Sequence, residues 1–185
     1  AAARHFAPAS GRVGVMGISF GGGLALVAAS RREYREAISF VVCVGAHHDL
    51  SRVVSWYAGE AVSGPTGDAP VVDPHPYGPA VAMYRHLDRF VDGSEVDVAS
   101  SILRDYLHDD GVAARGRLAQ LSPEARDTLS SVLREPPADA WRHRLLAVVA
   151  EDREVSERVS PSATLADIQV PVFLVHGLGD PIIPA

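Results

Sequence analysis

The chain of 185 residues contains no lysine and no asparagine, so all 17 of its basic side chains are arginine. Without an ε-amine there is neither Schiff-base catalysis nor a lysine phosphate-binding loop, and without asparagine there is no Cys-His-Asn thiol site. No N-glycosylation sequon exists either. The single cysteine, Cys43, excludes an internal disulfide and a Cys-rich metal site. It lies in the apolar run ISFVVCV, where an inert, packed thiol is expected. Long hydrophobic runs are also missing: nothing approaches the roughly 18 apolar residues of a membrane helix. The opening residues AAARHFAPAS lack the apolar core of a signal peptide. Because the chain opens on Ala1, they do not speak for the N-terminus of the whole protein. A cysteine count of one leaves the compartment open, with a cytoplasmic location as the working expectation. Positive charge is scarce as well, 17 basic against 23 acidic side chains for a net charge of −6. The arginines are scattered, which argues against a nucleic-acid surface, since phosphate binding needs a concentrated positive face.

What is present is a globular composition, 47% hydrophobic and 22% charged. The run RVGVMG, Arg12 to Gly17, is Val-rich and reads as a strand. Ser19 and the glycines Gly21, Gly22 and Gly23 follow, then LALVAAS, apolar on every face from Leu24 to Ala29. That order predicts a strand, a sharp turn and a helix covered on both sides. Ile38 to Val44 has the continuous apolar, β-branched character of a central parallel strand, and VPVFLV, Val170 to Val175, predicts a third. More than a hundred residues of different texture separate those two strands. From Gly59 to Pro79 the chain holds five Pro and four Gly, which predicts an extended loop without regular structure. Helical spacing then takes over. Val81, Tyr84, Leu87 and Val91 would share one face, and Ala99, Ile102, Leu103, Tyr106 and Leu107 another. Ser122-Pro123 predicts an N-cap with Pro at the first helical position, followed by the stripe Ala125, Leu129, Val132 and Leu133. A further helix is predicted from about Ala138 to Ala150, with Trp141, Leu145 and Val148 inward. The expected fold class is α/β: a partial parallel sheet made by residues 1–45 and 161–185, with a mostly helical block at 46–160 inserted into it.

Gly17-Ile18-Ser19-Phe20-Gly21 matches G-x-S-x-G between a strand and a helix, the context that gives the motif meaning. The turn is tight enough that a side chain at Gly17 or Gly21 is expected to collide with a neighbouring element. Ser19 would sit in a strained conformation that projects its Oγ outward. The helix start directs N–H groups and the positive dipole end at a reacting carbonyl, with the Phe20 N–H placed for a developing oxyanion. Near the other end, VFLVHGLGDPIIP carries Asp180 in a loop just past a strand, where a carboxylate can orient a histidine. The alternative for Asp180 is an Asp-Pro turn residue, and for the elbow a glycine-rich turn with an incidental serine.

The segments GRVGVMGISFGGGLALVAAS and SPSATLADIQVPVFLVHGLGDPIIPA resemble the nucleophile elbow and acid loop of the α/β-hydrolase superfamily. The nearest-looking branches are bacterial serine esterases and the dienelactone-hydrolase-like and prolyl-oligopeptidase-like enzymes; dienelactone hydrolases proper carry Cys where this chain has Ser19. The resemblance implies that Ser19 is the nucleophile, Phe20 N–H half of the oxyanion hole and Asp180 the triad acid. It also implies that the helical block is a lid, and that the elbow follows the fifth strand of a larger sheet. In the family the catalytic histidine lies beyond the acid, and here only five residues follow Asp180. The expectation is therefore that the base, and with it triad-dependent turnover, is missing from these 185 residues.

Of the eight histidines, His47 and His48 follow the second strand where a pocket could form. As neighbours they point in different directions and suit a shared metal poorly, so no metal is expected. Either could line a pocket, cap a helix or face solvent. His176 is expected beneath the acid loop, and His75, His86, His108 and His143 in solvent. Trp56 and Tyr57 are candidates for lining a substrate pocket, with the core of the helical block as the alternative. The reading is a serine hydrolase acting on a carboxylic ester, or an amide or peptide, without metal or organic cofactor. Its partner would be a small-molecule ester or peptide, with no nucleic acid and no membrane span. The competing class is a non-catalytic binding protein of the same fold.

Overall fold

The computed structural model describes residues 11–63, 72–134 and 141–185. Strand β1 (Val13–Ile18) leads through Ser19 into helix α1 (Phe20–Ser30), and a short helix α2 (Arg32–Arg35) precedes β2 (Ile38–Val44). Helices α3 (Leu50–Tyr57), α4 (Tyr77–Tyr84), α5 (Val96–Leu107), α6 (Gly111–Arg117), α7 (Pro123–Val132), α8 (Arg142–Glu151) and α9 (Arg153–Val159) follow before β3 (Val172–Val175). The strands form a parallel sheet in the order β1-β2-β3. Gly17 pairs with Cys43 and Ile18 with Val44, while Cys43 pairs with Leu174 and Val44 with Val175. All three strands therefore present their C-terminal ends on one edge.

By contact the chain divides into two compact units, and the division falls within α3. The first comprises described residues 11–53, 63 and 153–185. One face of its sheet packs on α1, through Ile38, Val41 and Cys43 against Ala25, Leu26 and Ala29. The opposite face is open. Met16 and Ile18 are about two-thirds exposed, and Phe40, Phe173 and Val175 are exposed beside them. The first two strands run where the sequence places them, within a residue, and β3 is shorter than expected at its start. Helix α1 is not covered all round, since Leu24 is 50% exposed. Its sheet-facing side uses Ala25, Leu26 and Ala29, and Leu24 lies off that stripe.

The second unit comprises described residues 54–62, 72–134 and 141–152. Its core is built from Met83, Phe90, Ile102, Leu103, Leu129, Trp141 and Leu145, all fully buried. Trp141, Leu145 and Val148 turn inward as expected on α8, which begins at Arg142; the expected start at 138–140 lies outside the described residues. The cap at Ser122 is as read from sequence, its Oγ accepting from Ala125 N at 3.3 Å with Pro123 opening α7. Asp110 caps α6 in the same way, accepting from Ala113 N at 2.9 Å. Two readings fail here. The 59–79 stretch, of which 64–71 lie outside the described residues, is not wholly irregular: α4 starts at Tyr77 and carries Pro79 in its first turn, where no intrahelical N–H is needed. The buried face of α4 also runs through Ala80 and Met83, leaving Val81 exposed, because the helix phase is set by a start the sequence did not reveal.

Candidate active site

Ser19 is the residue between β1 and α1, and its backbone has φ 55° and ψ −130°. A non-glycine residue there carries strain on the order of 1–3 kcal/mol, which persists only where the surroundings impose it. They do so from both sides. Ser19 N donates to Val44 O at 2.8 Å, fastening the turn to the end of β2, and Gly22 N donates to Ser19 O at 3.0 Å. The Ser19 hydroxyl makes no capping bond to the helix it precedes. Phe20 and Gly21 open α1, and the N–H groups of a first helical turn lack intrahelical acceptors.

The glycines divide differently from the sequence reading. A Cβ on Gly17 would collide with the backbone of Gly21 and Gly22, so only glycine lets strand and helix approach there. Gly21, in contrast, faces open space, and a side chain there would meet nothing within 4 Å. The expected collision at Gly21 is corrected: α1 already starts at Phe20, which turns residue 21 outward. The close approaches fall one and two residues later, where Gly22 faces the Ala46 methyl and Gly23 lies against the His47 ring. A run of three glycines signals tight packing, but the sequence does not say which of the three is packed.

Asp180 follows β3. Its Oδ1 accepts from Ile182 N at 2.8 Å and Ile183 N at 3.0 Å, so the loop fixes the carboxylate through one oxygen. The other oxygen lies near the tip of β2, where a Cβ on Gly45 would stand 3.2 Å from Oδ2. Gly45 has φ +58° and extends the ladder, donating to Val175 O at 2.8 Å. Ser19 and Asp180 thus stand past the ends of the two outer strands, and the carboxylate leans over the strand between them.

His176 lies under the acid loop, as expected, with Nε2 at 2.9 Å from Ile183 O and 3.9 Å from Asp180 Oδ2. A carbonyl oxygen only accepts, so that contact places a proton on Nε2. His47 is 1% exposed, its Nε2 2.9 Å from Val159 O and its Nδ1 buried without a hydrogen-bond partner. Burial pushes its pKa below the ordinary imidazole value, outweighing the Val159 hydrogen bond and the charge of Asp49. His47 and the exposed His48 line a cavity of about 440 Å³ with Leu26, Cys43, Leu174 and His176. Ser19 and Asp180 are not among its lining residues. Trp56 and Tyr57 are in the core, 8% and 2% exposed, with the Tyr57 ring against Gly78. His86 is not solvated as expected; it is partly buried, 3.4 Å from Asp152. Among the described residues no group of three His, Cys, Asp or Glu side chains could hold a metal ion. No helix there is long and apolar enough to cross a membrane.

A three-stranded parallel sheet whose first strand turns through a strained serine into a helix is consistent with an α/β-hydrolase-like fold. The family model of the X-Pro dipeptidyl-peptidase (S15) family matches residues 2–184, and the chain belongs to that family. The family is one of serine peptidases within the α/β-hydrolase superfamily, so the chain is of hydrolase type. The superfamily is the one that the elbow and the acid loop resemble, and the family match does not confirm any of the branches named beside it. No curated protein and no solved structure gives a significant match.

Proposed function

We propose that the protein is a serine hydrolase that transfers an acyl group to Ser19 and then to water. The observation that carries this reading is the Ser19 backbone, held at φ 55° between a strand and an 11-residue helix with its hydroxyl uncommitted to the helix cap. Ser19 Oγ attacks the substrate carbonyl and passes its proton to a histidine. The Phe20 N–H receives the oxyanion, and the leaving alcohol or amine departs with the proton returned by that histidine. Water repeats the sequence on the acyl-enzyme. Asp180, whose Oδ1 is fixed by two backbone N–H groups, holds the histidine in its tautomer through Oδ2.

The histidine itself is proposed to come from outside these 185 residues. His176 is engaged with Ile183 O, and His47 with Val159 O and against Gly23. Residues 46–160 are proposed to be a lid that shapes the acyl site and excludes water, a reading supported by their place between β2 and β3 and their separate helical core. For the scissile bond, family membership supports a peptide bond after proline ahead of the carboxylic ester that the residues alone suggested.

The test is a panel of X-Pro amides, other dipeptide amides and short- and long-chain esters given to the full-length protein, with Ser19→Ala as control. Turnover that disappears in Ser19→Ala supports the reading, and the preferred arm names the bond. Equal turnover by the variant removes Ser19 from the mechanism, and a wild type inert toward the whole panel favours a binding protein on this fold.

A further inference from the structure

We propose that His47 is a positioning residue for the oxyanion hole, its ring bracing the first turn of α1 from Phe20 to Gly23; this rests on the reading of Ser19 and Phe20 given above. The ring is buried and held on two sides, by Val159 O and by the helix at Gly23. Its Nε2 must carry the proton that Val159 O accepts at 2.9 Å. In the neutral ring Nδ1 is then a bare acceptor, buried and without a partner. Cε1 and Nδ1 lie nearest Gly23, with Nε2 just behind them, and any side chain there would collide with the ring. A second proton on Nδ1 would point at the helix with nothing to accept it. The ring is therefore a neutral, wedged body and cannot serve as the base for Ser19.

Wedged in this way, it touches the elbow where geometry matters most. The Phe20 ring lies 4.9 Å from the His47 ring, centroid to centroid, at 44°. Phe20 is the residue whose N–H is to meet the oxyanion. Its backbone follows directly on the strained turn at Ser19, and its ring meets the His47 ring. The same imidazole reaches the place where the inserted stretch returns. Around its bond to Val159 O, Leu50 N donates to Ser160 Oγ at 2.9 Å and Ser162 N donates to His48 O at 3.0 Å. One ring thus links the start of the catalytic helix to the clasp that closes the two ends of the insertion. An ordinary core histidine would do neither; it would only contribute to stability.

The experiment uses the full-length protein and three forms of it: wild type, His47→Gln and His47→Ala. His47→Gln is decisive, because its amide can still donate to Val159 O while the ring against Phe20 is gone. Measured are the rate of Ser19 phosphonylation by a fluorophosphonate, kcat and KM on the best substrate of the panel, and the thermal midpoint. We expect kcat and the labelling rate to fall about 10-fold in His47→Gln and up to about 100-fold in His47→Ala, with KM changed by less than about 3-fold. A folded His47→Gln with wild-type kcat and labelling rate overturns the proposal, as does a loss confined to KM. If wild type is not labelled at Ser19 at all, the reading of the site falls and this inference with it. Labelling of wild type with no effect of either variant sinks the inference alone.

Discussion

The two units of the chain handle polarity in opposite ways. In the helical unit the core side chains are sealed, with Trp141, Met83, Phe90, Ile102, Leu103, Leu129 and Leu145 fully buried. Its charges pair on the surface, as in the two 2.7 Å bonds from Arg89 to Glu151 and the Arg144 guanidinium 5.5 Å from the Phe90 ring centroid. Exposed pairs of this kind add little to stability. In the sheet unit the arrangement is reversed. Apolar side chains stand open on one face, while polar groups are buried or fastened to backbone at the strand ends: His47 on Val159, His176 on Ile183, Asp180 on Ile182 and Ile183. This is the unit that places a strained serine past the end of β1 and a backbone-fastened carboxylate past the end of β3, and the proposed reaction uses both. The other is organised for packing.

That contrast can be broken or sharpened by substitutions whose effects should segregate. The largest effect is expected in the sheet unit. Asp180→Asn keeps an oxygen for the Ile182 and Ile183 N–H groups but loses the charge, and should lower kcat on the order of 10²- to 10⁴-fold while leaving the thermal midpoint within a few degrees. An active Asp180→Asn would make the residue a turn former only.

Next in size is Leu145→Ala in the helical unit, which empties a fully buried site and should cost about 2–5 kcal/mol in urea denaturation. The kcat per folded molecule should be unchanged. A loss of kcat without a loss of stability would contradict the division of labour.

The smallest effect concerns pH. The His47 pKa is lowered in the folded state, mainly by burial, against an unfolded value of about 6.5. Below that value the unfolded chain binds the extra proton first, so this contribution to stability is fully present above pH of about 6.5 and is lost as pH falls toward the folded pKa. Urea midpoints measured between neutral and mildly acid pH should fall with acid in wild type and fall less in His47→Gln. Identical pH profiles would mean that the ring is not held neutral.

Much of the sheet unit was legible in the sequence, because its signals are local and chemical. The apolar runs at Ile38–Val44 and Val170–Val175, the G-x-S-x-G at residues 17–21 and the loop carrying Asp180 each stand out by themselves, although the third strand starts only at Val172. What stayed hidden depends on which side a residue faces. Gly21 is open while Gly22 and Gly23 are packed, since that choice follows from α1 beginning at Phe20 and from where the chain after β2 passes. The role of His47 was equally invisible, because its partner Val159 lies 112 residues away across the insertion. In the helical unit the stripe Ala99, Ile102, Leu103 was readable because α5 is 12 residues of clear periodicity. The face of α4 was not, because Gly78 and Pro79 conceal a helix start.

The central claim is that Ser19 is an activated nucleophile. The most direct measurement is to treat the full-length protein with a fluorophosphonate, digest it and locate the adduct by mass spectrometry. The account predicts one adduct, on the peptide containing Gly17-Ile18-Ser19-Phe20-Gly21, absent from Ser19→Ala. An adduct on another serine, or an unmodified Ser19 in folded protein, would contradict it.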